Sequence, residues 1–336
     1  MKRVALNGFG RIGKNFLRAY LQDSQAHTCY ELVAINIGPA DIDAVAYMVR
    51  YDSLLGTYSC PVLVEKDMLL IGNFKIKLLQ ETDALKLPWA ELNIDIVVDA
   101  TGHYTHAADA KQHIKSGAKK VIITAPAHGE DITIVMGVND QLYQPEKHTI
   151  ISLGSCTTNA LVPLLQVMKT HATLVQTIAS TVHAYTNTQE LLDVDAHSKD
   201  LRRSRAAAIN IIPSTTGAAV SVVAVLPDLK NKLSASALRV PVPIVSLADV
   251  TLLLEKPVTV QEVNGWFADA AKSSLKNILS VASEPLVSCD FQGNSHSVIF
   301  DPTMTLVSGP LVRLYGWYDN EWGYSNRIND FLKNGC

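Results

Sequence analysis

The chain is short of the features that mark a charged-surface, membrane or cross-linked protein. Neither charge is in excess: 29 Lys and Arg stand against 32 Asp and Glu in 336 residues, a formal net charge of −3. A surface built for nucleic acid or an anionic membrane is therefore not expected. No apolar run reaches the roughly 18 residues that a membrane-crossing helix needs. Met1-Lys2-Arg3-Val4 reads straight into a strand, so no signal peptide is expected either. The five cysteines (29, 60, 156, 289 and 336) are odd in number and show no C-x-x-C or Cys/His ligand spacing. That excludes a disulfide framework and a zinc site as expectations, predicts no metal, and favours a reducing, cytoplasmic setting. No repeat or low-complexity tract occurs, and the length allows two domains with ample core.

What is present centres on Ser155-Cys156-Thr157-Thr158-Asn159. Apolar residues at 161, 164, 165 and 168 follow the spacing of one helix face, and the small polar run before them reads as that helix's start. Cys156 then lies at a helix N-terminus, where unpaired N–H groups and the dipole favour the thiolate and lower its pKa. Pro163 should kink this helix or mark its first turn. His183 follows a strand-like run ending Ser180-Thr181-Val182. A thiol with a histidine elsewhere in the chain is the pattern of an activated nucleophile and its base.

The chain opens as strand, glycine turn and helix: Val4-Ala5-Leu6, then Asn7-Gly8-Phe9-Gly10-Arg11-Ile12-Gly13, then Phe16-Leu17 and Tyr20-Leu21. In G-x-G-x-x-G the glycines allow the tight turn, close approach to a pyrophosphate, and packing of helix on strand. The next strand, Leu32-Val33-Ala34-Ile35, arrives at β-α-β spacing. An acidic residue at its end would grip ribose hydroxyls. Here the chain reads Asn36-Ile37-Gly38-Pro39 instead.

Alternation continues through strands at 94–99 and 120–124 with a helix over about 106 to 116, which argues a doubly wound, mostly parallel α/β sheet. From Ala172 onward strand-like runs dominate (234–240, 246–254, 311–317), with a helical stretch near 260 to 274 and a last helix over about 321 to 332. This predicts an α+β domain with a large, mainly antiparallel sheet. The expected division is a dinucleotide-binding domain over 1–155, rejoined by a C-terminal helix at 320–336, and a catalytic domain over 156–319. The polar run 193–205 reads as a solvated loop.

The Cys156 run, His183-Ala184-Tyr185-Thr186, the opening glycine turn, and Trp317-Tyr318-Asp319-Asn320-Glu321-Trp322-Gly323-Tyr324 resemble, in order and from Lys2 to about Leu332, the phosphorylating glyceraldehyde-3-phosphate dehydrogenase family. The resemblance implies oxidation of glyceraldehyde 3-phosphate with NAD and inorganic phosphate through a thioester on Cys156, with His183 as base. Ser155, Thr157, Thr186, Thr216, Gly217 and Arg239 would hold substrate and phosphate. Asn7, Gly8, Gly10, Arg11, Ile12, Gly13, the position of Ile37, Thr101, Thr124, Asn320 and Tyr324 would border the cofactor. A homotetramer is implied, with the 193–205 loop crossing its subunit interface.

Several positions depart from the family pattern. Ile37 replaces its usual acid, which should weaken the ribose grip and makes NADP or dual use conceivable. No Lys or Arg lies between Glu31 and Val49 to hold a 2′-phosphate, so NAD is the expected cofactor. The 193–205 loop is one or two residues longer than usual and lacks a common Leu-Pro pair. Asp195, if it faces a neighbouring subunit's ribose, would disfavour NADP. Leu153 and Thr82 stand where other residues are usual, and Ala160 replaces a second cysteine that could oxidise with Cys156. Two alternatives stay open: an erythrose-4-phosphate dehydrogenase, against which the retained Thr216-Gly217 speaks, and a nucleotide-binding regulatory protein whose redox activity has decayed.

Overall fold

The computed structural model of the chain describes residues 1–195 and 200–334. The middle of the expected loop, residues 196–199, lies outside the described residues, as does Cys336. The chain divides into two compact units, one of Met1–Ile134, Asp140–Gly154 and Ser325–Cys336, the other of Val135–Asn139 and Ser155–Tyr324.

The first unit is built on a nine-stranded sheet. Its order is Ile132–Thr133, Ile150–Ser152, Lys120–Ile123, Ile96–Asp99, Lys2–Asn7, Tyr30–Asn36, Phe74–Leu79, Met68–Ile71 and Val62–Glu65. All neighbours are parallel except the last two pairs, which form an antiparallel meander. The central strands are apolar on both faces: Val4, Ala5, Leu6, Ile96, Val97 and Val98 are all buried, as a sheet covered on both sides requires. Strand order reverses around Lys2–Asn7, which is continued first by Tyr30–Asn36 on one side and later by Ile96–Asp99 on the other. The last helix, Trp322–Asn334, contributes most of its length to this unit. There Asn329 accepts a hydrogen bond from the Tyr30 hydroxyl, Lys333 pairs with Asp23 at 2.6 Å, and Phe331 meets Tyr143 edge to face. Ile328, Phe331 and Leu332 are buried.

The second unit carries an eight-stranded sheet in the order Ile212–Ser214, Leu233–Val240, Leu174–Ala184, Ser246–Leu254, Leu311–Tyr318, Val298–Phe300 and Leu279–Val281, with Leu306–Ser308 paired off Leu311–Tyr318. It is mainly antiparallel with two parallel pairs, one of which sets Leu174–Ala184 beside Leu233–Val240. Burial alternates strictly along Ser246–Leu254, so one face of that strand belongs to the core. Three helices, Cys156–His171, Ala218–Val225 and Val260–Lys272, belong to this unit.

Pro163, expected to kink the helix or mark its first turn, lies beyond the first turn. The helix runs unbroken from Cys156 to His171 with the proline in its third turn. One backbone bond, to the Asn159 carbonyl, is forfeited there, and burial of Leu161, Val162, Leu164 and Leu165 around it holds the helix through the gap.

Candidate active site

In the first unit a cavity of about 480 Å³ opens beside the carboxyl ends of the strands where the order reverses. Crevices at such switch points are where open α/β sheets take ligands. The glycines show why this turn needs them. Gly8 has φ +98°, and a Cβ there would lie 2.8 Å from the Ala100 carbonyl carbon and the Thr101 nitrogen. A Cβ on Gly13 would lie 2.3 Å from the Gly8 oxygen, so helix and turn touch backbone to backbone. Gly10, the residue before the helix Arg11–Gln22, faces open space instead. Two glycines make the turn, and the third leaves room for an anion at a helix N-terminus with its unpaired N–H groups. The residues present fit the pyrophosphate of a dinucleotide.

Of the expected cofactor residues, Asn7, Gly8, Gly10, Ile37 and Thr101 line this cavity. Arg11, Ile12 and Gly13 do not; Arg11 forms an ion pair with the buried carboxylate of Asp52. Thr124, at the end of its strand, donates its hydroxyl to the Asp99 carbonyl at 3.0 Å. Asn7 acts through a buried network: its Nδ2 donates to Asp99 at 2.7 Å, and its Oδ1 accepts from Asn36 at 2.7 Å. Trp89 Nε1, which can only donate, bonds His113 Nδ1 at 3.0 Å. His113 therefore carries its proton on Nε2, 3.3 Å from Asp99, and donates it there. Thr101 adds its hydroxyl to the same carboxylate at 2.7 Å. This chain of bonds fixes the strand ends that form the cavity wall.

In the second unit Ser155 caps the helix of Cys156 in a reciprocal box with Thr158: Thr158 N–H donates to Ser155 Oγ at 3.1 Å and Ser155 N–H to Thr158 Oγ1 at 3.2 Å. Cys156 is thereby the first helical residue. The parallel register of Leu174–Ala184 with Leu233–Val240 sets His183 beside Arg239. His183 Nε2 lies 3.6 Å from Cys156 Sγ. Its Nδ1 lies 2.7 Å from the Ala184 carbonyl and 2.6 Å from an Arg239 nitrogen, which also donates to that carbonyl at 2.9 Å. The two neighbours of Nδ1 select opposite tautomers. Donation to the carbonyl leaves the Nε2 lone pair facing the thiol, whereas acceptance from the guanidinium puts a proton on Nε2.

The electrostatics differ from the expected thiolate. Loss of solvent pushes the Cys156 thiol up, against the pull of the Arg239 guanidinium, because an anion in this dehydrated hollow loses more hydration than its neighbours return. Burial, and then Arg239, bring His183 down to about 3 from an ordinary 6.5. At neutral pH the pair is a thiol and a neutral imidazole, and the imidazole is free of charge to accept a proton.

This makes a prediction about acid stability. Unfolded His183 takes up a proton below its ordinary 6.5 while the native imidazole stays neutral to about 3. The unfolded state therefore binds more protons as pH falls through that window, and stability drops by about 1.4 kcal/mol per pH unit on this account. Denaturant midpoints at pH 7.5 and 5.0 should show the native chain losing about 2 kcal/mol more than His183→Gln. Equal losses in the two proteins would mean that His183 titrates normally.

The remaining expected residues are placed as follows. Thr216 and Gly217 immediately precede the helix Ala218–Val225, where Thr216 Oγ1 accepts from Ala218 N–H at 3.1 Å. Thr186 Oγ1 lies 2.9 Å from Thr188 Oγ1. Asn320 is buried and its Oδ1 accepts from Ser246 at 3.0 Å; Tyr324 is buried too. Thr157 shares a hydroxyl cluster that the sequence reading did not find: the buried Tyr318 hydroxyl lies 3.1 Å from Thr157 Oγ1 and 2.6 Å from Thr181 Oγ1. Tyr318 was visible in the late Trp-Tyr-Asp-Asn motif, but nothing in the chain order set it beside residue 157. Glu81 was missed for the same reason. It lines the cavity beside Asn36 and Ile37.

The comparisons with known proteins agree with this arrangement. Residues 2–107 match the sequence model described as glyceraldehyde 3-phosphate dehydrogenase, NAD binding domain, and residues 155–320 match the C-terminal domain of the same family. Over 328 residues, 98% of this chain and 96% of the relative, it is 48% identical to glyceraldehyde-3-phosphate dehydrogenase 2 of Streptomyces arenae. It is 47% identical to the glyceraldehyde-3-phosphate dehydrogenase of Geobacillus stearothermophilus over 98% of this chain and 96% of that one, and 47% identical to that of Mycobacterium avium over 98% and 97%. With both domains matched in order and nearly half of all residues shared along almost the whole length, the chain belongs to the glyceraldehyde 3-phosphate dehydrogenase family.

Proposed function

We propose that this protein oxidises glyceraldehyde 3-phosphate, with NAD and inorganic phosphate, to 1,3-bisphosphoglycerate. The observation that carries the reading is the 3.6 Å approach of His183 Nε2 to Cys156 Sγ at a capped helix N-terminus. Cys156 attacks the aldehyde carbon, its proton passing by way of neutral His183 to the carbonyl oxygen, and the resulting thiohemiacetal is held on sulfur with His183 neutral again. NAD, when bound, would supply the hydride acceptor; by the family resemblance Asn320 and Tyr324 would border its nicotinamide. His183 takes the adduct's hydroxyl proton as the thioester forms. Phosphate, held by Thr216, Gly217 and Ser155 with Thr157 nearby, then attacks the thioester carbon and releases Cys156. Arg239 and Thr186 hold the substrate's own phosphate, a task suited to a guanidinium fork. Once engaged there, Arg239 leaves His183 Nδ1 to the Ala184 carbonyl, which is the tautomer with a basic Nε2.

No helix among the described residues is long and apolar enough to cross a membrane. A cytoplasmic homotetramer is part of the proposal, resting on the family. Initial rates of NAD reduction with glyceraldehyde 3-phosphate, with and without inorganic phosphate, test it. A rate that requires phosphate is expected. No rate with either nucleotide would sink the triose assignment, and a phosphate-independent rate with erythrose 4-phosphate would favour the neighbouring activity.

A further inference from the structure

We propose that Glu81 supplies the ribose-gripping carboxylate that position 37 lacks, and that it makes this pocket select NAD over NADP. The inference rests on the reading of the cavity as a dinucleotide site. At Ile37 the wall offers only hydrocarbon, the side chain being 6% exposed. The next strand in the sheet, Phe74–Leu79, runs parallel to Tyr30–Asn36 with Leu79 opposite Asn36. The residues that follow each strand therefore emerge at one edge, 37 to 39 from one and Glu81 from the other.

Asn36 locks the two segments together. Its Oδ1 accepts from the Glu81 N–H at 3.0 Å, its Nδ2 donates to the Glu81 carbonyl at 2.8 Å, and Ile37 N–H donates to the Leu79 carbonyl at 2.8 Å. The Glu81 carboxylate is fixed in turn: Oε1 accepts from the backbone N–H groups of Thr82 at 2.8 Å and Asp83 at 2.9 Å. Oε2 has no partner among the described residues. Glu81, its carboxylate so held and Oε2 left over, lines the cavity beside Asn36 and Ile37, where the family carries its acid, and no Lys or Arg is among the lining residues. Vicinal ribose hydroxyls are donors that such an oxygen accepts. A 2′-phosphate in the same place would meet a second negative charge with no cation to offset it.

Calorimetric titration of the purified full-length protein with NAD and with NADP tests this without reference to turnover. The native protein should bind NAD at least about tenfold more tightly than NADP, the worth of one hydrogen bond to a charged group. Glu81→Gln keeps an oxygen for the Thr82 and Asp83 amides but loses the charge. It should lose about tenfold in NAD affinity without losing NADP affinity, and Ile37→Asp in that background should restore the preference. Ile37→Asp alone should add less than about twofold, because Glu81 already serves the ribose. Native affinities in Glu81→Gln, or a tenfold gain from Ile37→Asp alone, would overturn the proposal while leaving the dinucleotide reading intact. Failure of the native protein to bind either nucleotide would overturn both.

Discussion

Cys156→Ser is expected to lower phosphate-dependent NAD reduction by at least about 10⁴-fold while NAD still binds with native affinity. The substitution changes one atom at the first position of a helix whose cap, Ser155 with Thr158, does not involve it. The fold should therefore be untouched. What changes is the chemistry available 3.6 Å from His183. A neutral imidazole brought down to about 3 is a weak base. It can assist a thiol, whose ordinary pKa is near 8.5, far better than an alcohol many units less acidic. An oxygen ester would also yield more slowly to phosphate than a thioester. Calorimetric titration with NAD beside the rate assay separates the two effects, since the turn that fits the dinucleotide belongs to the other unit. A rate within tenfold of native would remove Cys156 from the chemistry.

Gly13→Ala should abolish measurable NAD binding, a loss of more than about 100-fold, and lower stability by about 1–3 kcal/mol. The new methyl would sit 2.3 Å from the Gly8 carbonyl oxygen and 3.2 Å from its carbon. Those are backbone atoms, with no rotamer to move into. Gly8 has little room on its other side, where even a Cβ would lie 2.8 Å from backbone atoms of Ala100 and Thr101. Relief must come from sliding the helix away from the turn, which dismantles the place prepared for the pyrophosphate. Gly10→Ala is the control: it has no neighbour within 4 Å and a φ of −78°, so the melting temperature should hold while NAD binding weakens by obstruction alone. Native NAD affinity in Gly13→Ala would show that the turn tolerates opening.

Local physics made much of this legible in the sequence. The Ser155 cap, the apolar face after Cys156 and the glycine turn are short-range patterns, and each element lies within a few residues of its expected place. The strand Ser246–Leu254 occupies its expected bounds because its alternation is complete. What escaped depends on separations that chain order does not display. Arg11 finds Asp52 rather than the cavity, across 41 positions. Glu81 reaches the wall beside Ile37 through strand register, and Tyr318 meets Thr157 across 161 positions. The state of Cys156 escaped for another reason. A helix N-terminus argues for a thiolate, but desolvation, which opposes it, is a property of the packed site.

The closing helix has a consequence for how the protein is made. Residues from Ser325 onward complete the unit that begins at Met1, through Tyr30 with Asn329, Asp23 with Lys333, and the buried Ile328, Phe331 and Leu332. Roughly 170 residues of the other unit are translated between Gly154 and that segment, about 9 to 34 s at 5–20 residues per second. Throughout that interval the nascent nucleotide unit lacks the segment that brings the buried Ile328, Phe331 and Leu332 to it. The intervening unit is itself complete only at Tyr324, directly before that segment, so neither unit can close until nearly all of the described chain has been made.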